Sequence, residues 1–198
     1  RFVDFLKNAH QKYWQILPVG PTSYGDSPYQ SFSTYAGNPY FISLEELIEE
    51  GLLTEEECDK VDFGNRIDKV NYEKLYNGRF KLLKKAYKKS NISEKEDFDK
   101  FKSENCYWLN DYAMFMAIKD RFNGQSFDKW AEDIKLRWGY SMEYYQNELK
   151  DEIEFYKFIQ YEFYRQWYKL KKYANENGIK IIGDIPIYVA YDSADVWA

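Results

Sequence analysis

Apolar positions along the first twelve residues fall on one helical face. Phe2, Phe5, Leu6 and Ala9 share it, with Asp4, Lys7 and Asn8 opposite, and this spacing predicts a helix over residues 1–12. Tyr13 to Val19 is short and nearly uncharged, and it closes in Pro18-Val19-Gly20-Pro21. That is the pattern of a strand buried on both faces, as in parallel sheets. Residues 20–40 change character: Gly, Pro, Ser, Thr, Asn and Tyr dominate, and Lys and Arg vanish. Turn chemistry makes this a loop, and ordered loops of that length are usually functional.

A helical block follows. Ser43 with Glu46 reads as a capping box, with Gly51 as the stop, and Thr54 with Glu57 as a second box. From Asn71 onward Tyr72, Leu75, Tyr76, Phe80, Leu83 and Tyr87 form a helical stripe, and Ser93 with Glu96 predicts another capped start. Trp108, Leu109, Tyr112, Phe115 and Met116 mark the next helix, ended near Gly124. Residues 141–177 predict one long helix or two in series, carrying Ile153, Tyr156, Phe163, Trp167 and Leu170 and stopped at Glu176-Asn177-Gly178. Ile179 to Val189, rich in β-branched residues, predicts a second strand. Two such strands joined through helices make a right-handed parallel βαβ unit, with the helical block inserted in its crossover. A parallel sheet needs more than two strands, so the remainder of a sheet or barrel is expected outside this sequence. Both ends, Arg1 inside an amphipathic pattern and Ala198 without a cap, read as cut.

With 44% hydrophobic and 31% charged residues, the 198-residue chain is expected to fold around a real core. Its aromatic content is 20%, with 20 Tyr, 14 Phe and 6 Trp, too much to be core alone. Tyr and Trp at a surface suit flat ligands with apolar faces and polar edges, such as sugar rings. Acidic and basic residues are interspersed and sum to a net charge of -5, which argues against a nucleic-acid partner, since that needs a basic stripe. No run is long and apolar enough for a membrane span, and no signal peptide is present. Cys58 and Cys106 lack metal-ligand spacing, and His10 is the one histidine. They read as reduced thiols in a cytoplasmic protein, and no cofactor or metal is expected.

In parallel α/β folds, ligands bind beyond the carboxyl ends of the strands. Here that rule collects Tyr24, Asp26, Ser27, Tyr29 and Gln30 from the first loop with Asp184 and Tyr188 from the second. Carboxylates, hydroxyls, an amide and aromatics suit a polyol. Asp184 follows Ile179-Lys180-Ile181-Ile182-Gly183 directly; its position at a sheet mouth points to function, with a structural ion pair or helix cap as the alternative. Asp26, before Ser27-Pro28, has on composition alone the signature of a turn residue. Tyr76 and the aromatics near Trp108 lie on helical stripes whose default is core. His10 fits a contact with a helix C-terminus, and the lysines at 84, 85, 88 and 89 a solvated face.

The segments Trp14-Gln15-Ile16-Leu17-Pro18-Val19-Gly20-Pro21-Thr22, Tyr24-Gly25-Asp26-Ser27-Pro28-Tyr29-Gln30-Ser31 and Ala36-Gly37-Asn38-Pro39-Tyr40 closely resemble the amylomaltases, bacterial 4-alpha-glucanotransferases of the alpha-amylase clan. Residues 182–190 and 192–198 match a second signature of that family, and Trp108-Leu109-Asn110-Asp111-Tyr112-Ala113 a third. The resemblance spans nearly the whole chain. It implies an α/β fold: part of a (β/α)8 TIM barrel, comprising the first helix and the second and third strands, with a large mainly helical insertion. Residues 1–19 would be barrel helix and second strand, 20–145 a substrate-binding loop and inserted helical subdomain, and 146–198 a barrel helix, third strand and following loop. It implies transfer of α-1,4-glucan segments by retaining double displacement through an Asp nucleophile, a Glu acid/base and a supporting Asp. Those three belong to later strands and have no counterpart here. On matched positions, Ser27 and Tyr29 would line donor subsites, Tyr24 and Tyr76 a secondary glucan groove, and Asp184 would be the clan's third-strand Asp that helps order the site. The histidine usual in the clan a few residues later is missing here. A non-catalytic glucan-binding module is the alternative from another functional class.

Overall fold

The computed structural model describes every residue except Tyr24 and Ile67. The described residues are mainly helical, with one two-stranded parallel sheet to the side of the main core. Helix α1 (Phe2–Asn8) leads into β1 (Tyr13–Gln15). A loop follows to α2 (Leu44–Glu49), α3 (Glu55–Asp59), α4 (Tyr72–Lys89), α5 (Glu96–Glu104), α6 (Cys106–Arg121) and α7 (Glu132–Lys135). Then come α8 (Gly139–Glu148), α9 (Lys150–Glu176), β2 (Lys180–Ile182) and α10 (Ala194–Trp197). Strands β1 and β2 pair in parallel, with Tyr13, Trp14 and Gln15 opposite Lys180, Ile181 and Ile182.

Several starts are set by local chemistry. The Thr54 hydroxyl accepts from the Glu57 N–H while the Glu57 carboxylate accepts from the Thr54 N–H, a complete capping box at α3. Ser43 caps α2 through the Glu46 N–H, but the reciprocal arm is missing. The Glu46 carboxylate is drawn away to Lys169, and the Ser43 N–H goes to Gln166 instead. Asn71 caps α4. The expected cap at Ser93 does not form. A 3-10 turn over Ile92–Glu94 buries Ile92, and α5 starts uncapped after Lys95. The long helical segment resolves into two helices in series, broken at Leu149.

Both strands are shorter than the pattern predicts, and neither is buried on both faces. Past Gln15 the pairing adds only the Ile16 N–H to the Ile182 carbonyl, at 3.0 Å. Pro18 and Pro186 have no N–H to give a ladder. Residues 183–189 are irregular, and they leave Ile185 83%, Ile187 90% and Tyr188 82% exposed. One face of the pair does rest on a small core. Trp14 and Ile181 pack there against Val3, Leu6, Ala174 and Ile179, which joins α1, the sheet and the end of α9.

The main core is helical. Its axis is α9, 27 residues and roughly 40 Å long. The stretch of α9 from Phe155 to Phe163 is buried nearly all round: Phe155, Tyr156, Phe158, Ile159 and Phe163 pack against α4, α5, α6 and α8, as in a helix wrapped by others. Helix α6 is its chief partner, bringing Leu109, Tyr112, Phe115 and Met116. Cys58 is half-buried and Cys106 exposed, and both are free.

Residues 37–46 run alongside α9 in a fixed register. The Gln160 amide accepts from the Gly37 N–H at 2.7 Å and donates to the Gly37 carbonyl at 3.0 Å. Gln166 does the same for Ser43, at 2.7 and 3.5 Å, and Lys169 reaches Glu46 at 3.0 Å. Each pair is 123 residues apart, so loop and helix advance together. Gly37 is required at the first clamp, because a Cβ there would fall 1.9 Å from the Phe163 ring.

Gln160 is wholly buried. Gln160→Leu keeps the volume but strands both backbone groups of Gly37, each at a cost of roughly 1–3 kcal/mol. A clear fall in the urea midpoint is expected; a midpoint equal to that of the unsubstituted protein would contradict the clamp.

Candidate functional site

The loop after β1 doubles back on itself. Thr22 bridges Ser31, the Ser23 N–H donates to the Gln30 carbonyl at 2.9 Å, and the Gln30 N–H to the Ser27 carbonyl at 3.1 Å. The reversal uses two consecutive left-handed residues, Gly25 (φ 82°) and Asp26 (φ 54°), conformations open to Gly and tolerated by Asp. The Ser27 hydroxyl accepts from the Tyr29 N–H at 3.3 Å, which orients the next turn. Further on, Asp195 accepts from the Thr34 N–H at 2.7 Å and from the Ser33 hydroxyl at 3.3 Å. Buried Lys119 pairs with Asp192, whose other oxygen accepts from the Phe127 N–H at 3.1 Å. The loop after β2 is thus tied at residues 192–195 to the first loop and to α6.

Between those ties the two loops meet. The Tyr29 hydroxyl donates to the Asp184 carboxylate at 2.8 Å, across 155 residues of sequence. Beside this contact lies a cleft lined by Pro18, Gly20, Tyr35, Trp167, Asp184 and Tyr188. Its volume is about 180 Å³, below the roughly 300–1,000 Å³ of ordinary small-ligand sites. The hydrogen bond to Asp184 holds the Tyr29 phenol above its usual pKa of 10.0, since ionisation would set two negative charges against each other.

A second groove opens on the other side of the first loop. Its walls include Asp26, Tyr40, Tyr72, Glu73, Tyr76 and Asp120, and its volume is about 680 Å³, well within the ligand range. Burial raises Tyr40 and Tyr76 to about 12, helped by the charge of Asp26 at the first and of Asp120 at the second. Asp120 is itself raised, chiefly by burial, against the lowering effect of a hydrogen bond from Tyr156 at 2.7 Å.

The structure therefore divides the expected single rim. Tyr29, Asp184 and Tyr188 come together at the cleft, with Ser27 supporting Tyr29 from within its turn. Gln30 is exposed beside them and engages through its backbone. Asp26 faces the groove with Tyr76, which is 43% exposed and so is not the core residue its helical stripe predicts by default. Tyr24 lies outside the described residues. Sequence reasoning missed Tyr40, Tyr72 and Asp120. Asp120 carried a readable signal: Trp108, Tyr112, Met116 and Asp120 recur every four residues, so a carboxylate continues a buried stripe. Among the described residues no cluster could hold a metal ion, and no helix is long and apolar enough to cross a membrane.

A family model described as 4-alpha-glucanotransferase matches residues 1–198. The curated 4-alpha-glucanotransferase of Clostridium butyricum is 53% identical over 197 residues, covering 100% of this chain and 40% of that protein. That of Streptococcus pneumoniae (strain TIGR4) is 48% identical over 199 residues, covering 100% and 39%. The solved amylomaltase from Streptococcus agalactiae in complex with acarbose superposes with a TM-score of 0.94 at 42% identity, covering 100% of this chain and 40% of that one. The chain thus spans about 40% of the length of the relatives it matches. The amylomaltase from Corynebacterium glutamicum, 18% identical with a TM-score of 0.68, covers 98% of this chain and 28% of its own, and shares the fold.

The Tyr29–Asp184 contact makes a pH prediction. The bonded form is the neutral phenol, so the contact is intact below the ordinary tyrosine pKa and is lost as pH rises through the raised one. In protein labelled with carbon-13 tyrosine, Asp184→Asn is expected to lower the Tyr29 titration midpoint, with Tyr29→Phe identifying the resonance. Identical midpoints with and without the carboxylate would count against the contact.

Proposed function

The chain belongs to the 4-alpha-glucanotransferase family, and from that premise we propose that it forms the substrate-binding part of an enzyme that transfers α-1,4-glucan segments between maltooligosaccharides. The observation that carries this reading is the Tyr29–Asp184 hydrogen bond. It joins loops that follow two parallel strands, where α/β enzymes gather their ligands. The strands, α1 and α9 are part of a (β/α)8 barrel in this reading, and residues 20–145 are an inserted subdomain. The apolar, solvent-facing Leu17, Ile185 and Ile187 support it, since a longer barrel would cover such residues. Two free thiols support a cytoplasmic setting.

The chemistry divides accordingly. A glycosyl group passes through a covalent intermediate on a carboxylate nucleophile, with a second carboxylic acid protonating the leaving oxygen. Both of those groups lie in later segments of the parent protein. This chain's residues hold the sugar. Asp184 accepts hydroxyl hydrogens, Tyr29 keeps that carboxylate in place, and Trp167, Tyr35 and Tyr188 offer apolar ring faces to C–H surfaces. The small cleft volume agrees with a site completed by further segments. The larger groove, with Tyr76 on its wall, is a second glucan site in the same reading. The acarbose complex of the Streptococcus agalactiae relative lends support at the level of ligand class.

With maltotriose, the full-length protein is expected to release glucose and longer products, and the 198-residue chain alone none. Asp184→Asn in the full-length protein is expected to cut kcat/KM at least about tenfold, the effect of losing one hydrogen bond to a charged group. Glucose release by the short chain would refute the assignment of catalytic carboxylates elsewhere, and no transfer by the full-length protein would refute the function.

A further inference from the structure

The last turn of helix α6 carries a carboxylate whose surroundings are unusual. Asp120 lies on the wall of the larger groove, one turn beyond Met116, which lines it too. From beneath, the wholly buried Tyr156 donates its phenol to one Asp120 oxygen at 2.7 Å. The Tyr76 hydroxyl, on the opposite wall, also interacts with this carboxylate. Among the described residues no lysine or arginine pairs with Asp120: neighbouring Lys119 pairs with Asp192, and Lys84 acts on it only through its more distant charge. A half-buried carboxylate without a cation is a costly arrangement for the fold alone. The same region could have held an amide or an apolar side chain against Tyr156.

We propose that Asp120 is the hydroxyl-reading group of this groove, accepting hydrogen bonds from a glucan ring stacked on Tyr76, with Tyr156 fixing the carboxylate from behind. The inference rests on the groove's reading as a glucan site and adds the residue that would give it selectivity. Tyr40, Tyr72 and Tyr76 supply ring faces, which grip any flat apolar surface. A fixed acceptor between them discriminates for a ligand whose hydroxyls point at it, because a buried acceptor left without a donor is penalised. Asp120 here is a binding residue.

The test is maltotetraose binding at the groove of the full-length protein, followed through the carbon-13 resonance of the Tyr76 ring. Asp120→Asn keeps the shape and is expected to weaken binding at least about tenfold with the melting temperature nearly unchanged. Equal affinity overturns the proposal. If Tyr76→Ala abolishes binding while Asp120→Asn does not, the groove remains a glucan site and only Asp120's role fails. If maltotetraose leaves the Tyr76 resonance of the unsubstituted protein unmoved, the glucan reading of the groove itself fails. Should Asp120→Asn not fold, the pH dependence decides. The titratable groups facing Asp120 are Asp26 from the loop, Glu73, Tyr76 and Lys84 from α4, Tyr112 and Lys119 from its own helix, and Glu152 and Tyr156 from α9. In an Asp26→Asn, Glu73→Gln background, Asp120 is the last carboxylate on the wall among the described residues. Binding is then expected to weaken as pH falls from neutral and Asp120 gains its proton; a flat profile overturns the proposal.

Discussion

The long segment after β1 hangs from the side of one helix, α9. Residues 37–46 have no sheet to join and little helix of their own, yet their backbone is held because α9 offers two glutamines and a lysine at matching intervals. A glutamine amide can pair an N–H and a C=O of one residue at once, as a neighbouring strand does. Two of them, six residues apart, therefore act as a ladder with side chains for one rail. The cost of burying Gln160 and Gln166 is offset because both ends of each amide are used. Gly37 lets the loop approach the Phe163 ring closely enough for the first clamp to close. Upstream, the Asn38 N–H donates to the Val19 carbonyl at 2.8 Å, which carries the same constraint back to the end of β1.

That arrangement explains what the sequence disclosed and what it hid. Helix α3, marked by its capping box, and α4, marked by an apolar stripe and a side-chain cap, stand where the pattern placed them. The loop character of residues 20–40 is equally legible, because turn chemistry is local. The strands are shorter and less buried than their apolar runs predict. An apolar run reports an apolar environment, and in the described residues much of that environment is open: Leu17 is 60% exposed and Ile187 90%. The Ser93 cap failed for a tertiary reason, because burying Ile92 uses the turn that Ser93 would have ended. No local signal could reveal that Gln160 and Gln166 serve the loop, since the pairing spans 123 residues.

Site residues divide along the same line. Tyr29 and Asp184 could be brought together by topology alone, since two parallel strands deliver their loops to one edge. Asp26, three residues from Tyr29, could not be separated from it that way. The separation is made by Gly25 and Asp26, whose left-handed backbone turns the chain over between them. One short loop thus presents opposite faces to two cavities, Tyr29 towards the cleft and Asp26 towards the groove. Backbone handedness at a single turn lies below the resolution of hydrophobic patterning, although the Gly-Asp dipeptide is a fair hint of it.

The two cavities differ in how their walls are built. The cleft is closed on one side by residues 184–189, which are irregular and largely exposed, and its volume falls short of an ordinary ligand site. The groove is walled by α4, α6 and the first loop, all of them backed by the main core through Phe80, Tyr112 and Tyr156. A wall that rests on packed aromatic rings holds its polar groups in fixed positions without further help. It follows that the groove's geometry is set within this chain, and that the cleft's is shared with whatever covers the apolar residues beside β2. A ligand that spans both would be gripped rigidly at one end and positioned by that grip at the other. The loop from Pro21 to Ser31 borders both cavities, the groove through Thr22, Ser23, Gly25 and Asp26 and the cleft through Pro28 and Ser31.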